Sequence, residues 1–329
     1  MLDAPDFSKK QILVYIPKEG DVMSYRNDNI VIKDKAGKIK YQSSCYRLFA
    51  ILVIGNISIT SGLIMRANKF KYSICLMTTN MRTYQLINGK MEGNTYLHKR
   101  QYEYDGMEIA QHIIWNKIYN QRKALSRIRK KTSAVKETIE KLDGYMNTLK
   151  ENEINELQSL LGIEGSASRI YFSQLFSDCG WKGRKPRVKH DYINTVMDIG
   201  YTMLFNFIDS LLQLYGFDVY YGVLHRCFYM RKSLVCDIME PFRPIIDWKI
   251  RNAIHLGQCK AEDFEQIHHQ WVLKHEKNAI YTTFIMEAIL EYKMDIFYYI
   301  QSYYRCFMKG KDYSEYPVYD MERRRNDTN

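Results

Sequence analysis

Glu164, within GIEGSASRIYF (162–172), stands where a helix calls for an apolar residue. Leu157, Leu160 and Leu161 fall at helical spacing, and the next position on their stripe is Glu164. A carboxylate on an apolar face is costly unless it is paired with a cation or holds a metal. Gly165, Ser166 and Ala167 are small and leave room beside it. The plain alternative to a metal is an ion pair with a nearby cation such as Arg169.

A second unusual stretch is LHRCFYMRKSLVCDIMEPFRPIID (224–247). Ser233 is an N-cap residue type and Leu234 opens a helix, which places Asp237 and Glu240 one turn apart on one face. Leu234, Val235, Ile238, Met239 and Phe242 occupy most of the remaining surface, so the helix is largely buried. Pro241 removes the bond to the carbonyl of Asp237 and predicts a kink beside the acids. His225 lies just upstream; a histidine in such a place is more often a satisfied core residue than a ligand. Glu164, His225 and Glu240 offer the mixed oxygen and nitrogen donors that Mg²⁺ or Mn²⁺ accepts, although spacing alone does not bring the segments together. Asp247 extends the same face, but Arg251 at i+4 makes it read as an ordinary ion pair. Zinc is a weaker alternative, because Cys259, His268, His269 and His275 match no finger spacing.

Two kinds of element must position these residues. Up to about Tyr104, QILVYIP, NIVIKD, KIKYQ, RLFAILVIG, SICLMTT and YQLING read as short strands. The turn signals KEGD, RNDN, KAGK, TSG and NGK separate them. From Asp105 the period becomes helical. A long helix carries Ile114, Ile118, Leu125 and Ile128 to about Lys131, and a second follows the Thr132–Ser133 break. Helical signal continues over 154–177, 191–215, 233–257, 262–274 and 278–308. The expected architecture is a two-domain α+β protein: a β-sandwich-like domain over 1–104, then a larger all-α domain over 105–329, its tail disordered beyond about 309. Neither half carries a P-loop or a GxGxxG after a strand, which argues against nucleotide binding by those routes.

The 329 residues carry a net charge of +11, which suits a polyanionic partner without identifying it. Two basic clusters stand out. Lys117, Arg122, Lys123, Arg127, Arg129, Lys130 and Lys131 lie along one helix; Lys182, Arg184, Lys185, Arg187 and Lys189 lie in the loop GWKGRKPRVKHD. Each is either a phosphate-binding surface or a solvated basic face. No cleavable leader is visible, and the longest apolar run, LFAILVIG, is far too short to span a bilayer. Seven scattered cysteines without a CxxC pair fit reduced thiols, so the expected compartment is cytoplasmic, with no membrane partner.

GIEGSASRIYF and LHRCFYMRKSLVCDIMEPFRP resemble the two hallmark segments of the CRISPR-associated protein 1 family, the spacer-acquisition integrases. The resemblance extends over nearly the whole chain: VIGNISITSGLI (53–64) is similar to the family's β-domain signature, GNTYLHKRQY (93–102) to its entry into the helical domain, and GRKPRVKHDYINTVMDIGYTML (183–204) to its Arg/Pro/Asp–Asn–Tyr segment, with looser spacing and proline placement. The resemblance implies a homodimer built through the β domains and a metal site in each helical domain. Glu164, His225 and Glu240 would be the ligands of Mg²⁺ or Mn²⁺, and Asp237 an accessory acid at the same site. It implies attack by the free 3′-hydroxyl of a short captured DNA duplex on a phosphodiester at a CRISPR repeat boundary. Many relatives act with a small ferredoxin-like partner that bridges two dimers. Arg122, Lys123, Arg127, Lys130, Arg184, Lys185 and Arg187 are the expected contacts to double-stranded DNA. Two alternatives keep the same residues: a structure-specific endonuclease with water as nucleophile, and a non-catalytic DNA-binding scaffold whose acids are buried ion pairs.

Overall fold

The computed structural model describes residues 3–79, 82–87, 94–186, 188–225 and 229–323. The NGK turn, Arg187 and the last six residues of the tail lie outside them. The first half runs α1 (Ala4–Ser8), β1 (Gln11–Tyr15), β2 (Val22–Arg26), β3 (Asn29–Lys33), β4 (Ile39–Ser44), β5 (Leu48–Ile54), β6 (Ser58–Ile59), α2 (Ser61–Phe70), β7 (Ser73–Met77) and β8 (Thr83–Ile87). They form two four-stranded sheets, ordered β1-β5-β7-β8 and β4-β3-β2-β6. Strands β1, β5 and β7 are parallel and β8 is antiparallel to β7; β2, β3 and β4 form a meander.

The run LFAILVI is explained by its place. Strand β5 is central in its sheet and buried on both faces, so it shows no polar alternation. Its Ile51 and Val53 join Met23, Ile30, Ile32, Leu63 and Ile74 in a core between the sheets and α2. Its Phe49, Leu52 and Ile54 face the helices instead. There Phe7 stacks on Phe297 at 4.5 Å and meets Phe49 edge-on at 5.2 Å, which ties the sheet to the helical half. The RNDN turn closes β2 to β3 with Asn27 and Asp28 both at positive φ, the backbone that a tight two-residue hairpin needs. TSG is not a turn: Thr60 precedes α2, which starts at Ser61 and carries the crossover between parallel strands.

The second half runs α3 (Thr95–Glu103), α4 (Glu108–Ser126), α5 (Ser133–Glu151), α6 (Leu157–Leu175), α7 (Tyr192–Leu214), α8 (Ser233–Met239), α9 (Arg243–His255), β9 (Phe264–Ile267), β10 (Gln270–Leu273), α10 (Asn278–Glu291) and α11 (Lys293–Lys309). Helix α4 ends at Ser126, short of Lys131, and Thr132 caps α5 by accepting from the Val135 amide at 3.2 Å. The segment 262–274 is an antiparallel hairpin, not a helix; His268 and His269 at its tip both have positive φ.

The tail beyond 309 is ordered as far as the structure describes it. Tyr316, Tyr319 and Met321 are buried. Asn116 and Asn120 of α4 pair with the backbone of Tyr319 and Met321 at 2.7–2.9 Å, which satisfies buried amides on both sides. No described helix is long and apolar enough to cross a membrane.

Candidate active site

Helix α4 packs on α5, α6 and the short 3₁₀ turn Glu240–Phe242. That turn is the kink expected at Pro241: α8 stops at Met239 and α9 restarts at Arg243. Ser233 is the first residue of α8 and does not cap it. The break turns Glu240 inward, where it is 4% exposed.

Glu164, on α6, accepts from the ammonium of Lys117 and from Ser168 Oγ at 2.9 Å; Gln121 holds that serine at 3.2 Å. The pairing cation is therefore Lys117, not Arg169. Lys117 reaches Glu240 Oε2 as well, at 2.7 Å, and Arg243 Nε approaches the same oxygen at 2.9 Å. These last two contacts are ion pairs of poor angle: Glu240 Oε2 and Arg243 Nε are both buried without an aligned hydrogen bond. Burial by itself would raise the Glu240 carboxyl, but Arg243 and Lys117 outweigh it and hold it at about 2, with a smaller push from His225. Lys117 is held above the usual lysine range because Glu240 and Glu164 outweigh its burial.

Asp237 is fully buried. Its Oδ2 accepts from the amides of Val223 and Leu224 at 2.7 and 3.0 Å; its Oδ1 accepts from the His225 amide at 3.0 Å and meets His225 Nδ1 at 2.7 Å. These four contacts, two on each oxygen, fully engage the carboxylate. An ionised carboxylate only accepts, so Nδ1 carries the hydrogen and Nε2 is the nitrogen available to a ligand. Gly222 allows this close approach, since a Cβ there would lie 2.5 Å from Asp237 Oδ2.

Asp247 does not pair with Arg251. It accepts from the hydroxyls of Tyr201 and of Tyr171 (3.1 Å), and burial pushes its carboxyl up to about 6. Arg251 instead grips Asp178 through two bonds of 2.6 and 2.7 Å. The Tyr201 ring lies 4.6 Å from the Arg243 guanidinium and so steadies the residue that reaches Glu240.

Several basic positions are engaged within the fold. Arg122 pairs with Asp143 and Lys123 with Glu322; Arg127 donates to the Met321 carbonyl; Arg184 is held by Asn194 and Asp198. Lys130 and Lys185 are exposed.

Oxygen donors from Glu164 and Glu240 with one imidazole nitrogen are a set that Mg²⁺ or Mn²⁺ accepts, and Glu240 Oε2 is a buried acceptor without an aligned hydrogen bond. The trio is not drawn into a tight cluster. Among the described residues, the three metal-type side chains whose ligand atoms all lie within 4.8 Å are Asp178, Cys179 and His255. Both Asp178 oxygens there already serve Arg251, and the Cys179 thiol is pushed up to about 11 by burial and by Asp178. Cys259 and the three histidines considered for zinc do not gather: His268 and His269 form the hairpin tip, and His275 meets Asn278. Sequence reading missed Lys117 and Arg243 as members of the site. Their signals were a cation beside the buried stripe of α4 and a cation at i+3 from Glu240.

The model of the family "CRISPR associated protein Cas1" matches residues 14–287. A CRISPR-associated endonuclease Cas1 of Thermodesulfovibrio yellowstonii is 31% identical over 222 residues, covering 63% of this chain and 70% of its own. One from Chlorobaculum tepidum is 28% identical over 273 residues, covering 77% and 78%. In fold, a Cas1 protein of Thermotoga maritima superposes with a TM-score of 0.79 at 18% identity, covering 92% of this chain and 98% of that one. A casposase bound to its integration product superposes with a TM-score of 0.78 at 19% identity, covering 95% of each. The family match takes in most of both four-stranded sheets and the segments that carry Lys117, Glu164, His225 and Glu240. On that extent of agreement, the chain belongs to the CRISPR-associated Cas1 family.

Proposed function

We propose that the protein is a metal-dependent DNA integrase of CRISPR adaptation. The observation that carries this reading is that Lys117 draws Glu164 and Glu240 together, and that Asp237 fixes the tautomer of His225, whose influence reaches Glu240, with Nε2 free to ligate. Glu164, Glu240 and His225 Nε2 would hold Mg²⁺ or Mn²⁺, and Asp237 acts through His225. When bound, the ion lowers the cost of a 3′-oxyanion and of charge building on phosphorus. Lys117 and Arg243 both contact Glu240 and would supply positive charge to a phosphodiester placed beside it. The reaction breaks one P–O bond of the repeat strand and forms one to the incoming 3′-oxygen; the incoming hydroxyl's proton and the departing 3′-oxygen's proton balance.

Exposed Lys130 and Lys185 are assigned to phosphate contacts, while Arg122, Lys123, Arg127 and Arg184 first shape the surface that carries them. Solved structures of similar fold, a Cas6-RT-Cas1–Cas2 complex and a TtCas1–DNA complex, support a partnered, DNA-bound assembly. We assign the chain to a homodimer through residues 1–104, with the small ferredoxin-like protein as partner and residues 105–329 as the catalytic part.

One observation favours the scaffold alternative: Glu164 and Glu240 are ion-paired through Lys117. Turnover decides. The protein is incubated with Mn²⁺, a plasmid carrying a repeat array, and a labelled duplex ending in 3′-hydroxyl or 3′-deoxy termini. An integrase joins label to plasmid only with the hydroxyl-bearing duplex. Equal nicking with either end and no joined label identifies an endonuclease, and no metal-dependent product identifies a scaffold.

A further inference from the structure

We propose that Lys117 is a built-in counter-cation that makes metal loading depend on DNA. This rests on the metal-site reading above. Lys117 projects from the middle of α4 with its side chain 8% exposed, and its one ammonium serves both proposed carboxylate ligands, Glu164 and Glu240. Arg243 is the second cation on Glu240. Two carboxylates against two enclosed cations leave no net charge to attract a divalent ion. The charge of Asp237 adds little, because three backbone amides and the His225 ring already engage it.

A divalent ion entering between Glu164 and Glu240 would sit within a few ångströms of the Lys117 ammonium, in a setting where water screens poorly. A phosphodiester changes the balance. Its oxygens bring negative charge and offer the ammonium a second acceptor, and Mg²⁺ characteristically binds one or two carboxylates together with substrate phosphate. The lysine stem is flexible and its ammonium can move from carboxylate to phosphate, whereas Arg243 is steadied against the Tyr201 ring. Linkage then requires reciprocity: DNA tightens metal binding by the same factor that metal tightens DNA binding. The protein without DNA is thereby kept from holding a reactive metal site.

The test is Mn²⁺ binding by calorimetry on the full chain, alone and with a duplex whose 3′-deoxy ends prevent joining. Wild type should bind Mn²⁺ weakly alone and at least about tenfold more tightly with the duplex. Lys117→Met should bind Mn²⁺ at least about tenfold more tightly than wild type without DNA, with little further gain when the duplex is added. Mn²⁺ should also raise its melting temperature more than that of wild type. Should Lys117→Met fail to fold, Lys117→Gln removes the charge while keeping a hydrogen-bonding group. Glu164→Gln is the reference. If it abolishes Mn²⁺ binding while the Lys117 variants bind no better than wild type, the counter-cation proposal is overturned and the metal site stands. If Glu164→Gln leaves Mn²⁺ binding intact, the site itself is misassigned and both fall.

Discussion

Asp237→Asn separates a residue that orients His225 from one that binds metal, and the structure fixes what it should do. The amide nitrogen must replace one carboxylate oxygen. On the Oδ2 side it would face the amides of Val223 and Leu224, two donors against a donor. On the Oδ1 side it faces only the His225 amide and ring Nδ1, so this orientation costs less. The backbone amide of His225, part-buried, is then left without its acceptor, a loss of about 1–3 kcal/mol. Nδ1 must become an acceptor, which moves the ring hydrogen to Nε2 and withdraws the nitrogen a ligand needs. Loss of such an orienting partner typically weakens metal affinity about 10–100-fold. Urea unfolding reads the stability term, ¹⁵N shifts of the His225 ring read the tautomer, and Mn²⁺ titration reads the affinity. The reasoning fails if the variant keeps the Nδ1–H tautomer, or if it changes tautomer and still binds Mn²⁺ as wild type does.

Glu240 and Asp247, both buried carboxyls with shifted ionisation, should give stability opposite slopes with pH. Glu240 is held at about 2 against an ordinary 4.5, so its contribution is present above pH 4.5 and lost as pH falls toward 2; Glu240→Gln should flatten that acid limb by at most about 3 kcal/mol. Asp247 is raised to about 6 from 3.8, so its ionisation cost is present above pH 6 and relieved as pH falls to 3.8; unfolding of Asp247→Asn should lack that slope between pH 4 and 6. Truncation after Lys309 should destabilise the protein by at least about 4 kcal/mol, because it orphans Asn116 and Asn120 and removes buried Tyr316, Tyr319 and Met321. Denaturant midpoints unchanged by the truncation would show that the tail is not part of the fold.

The six strands read from sequence appear because β-branched runs bounded by turns carry their own signal, and β5 is recognisable even without alternation because it is short and bounded. Elements whose order comes from distant contacts were not legible. Strands β9 and β10 have four residues each, too few to tell a period of 2 from one of 3.6. The tail read as disordered because nothing local orders it; its partners are two asparagines of α4, about 200 residues earlier in the chain. Parallel pairing of β1, β5 and β7 was hidden for the same reason, since a crossover helix that starts with TSG looks like a turn.

The site was half legible, and the missing half follows a rule. Glu164 drew attention because it broke an apolar stripe, and Lys117 breaks another: it sits among buried Ile113, Ile114, Ile118 and Gln121 on α4. Read by charge alone, Lys117 looks like one more member of a basic face. Read by position, it is a buried cation that must have a buried anion somewhere, just as Glu164 must have a cation. Two violations of pattern, on separate helices and of opposite sign, are each costly alone and tolerable together, so each points to the other in the sequence itself. What the pairing does not predict is Glu240 as a second acid on the same lysine. One ammonium shared by two carboxylates and crowded by Arg243 leaves Oε2 imperfectly bonded, which is more than a structural ion pair requires. If Lys117 is the counter-cation proposed above, these two carboxylates are what a divalent ion would take over when the ammonium moves to phosphate.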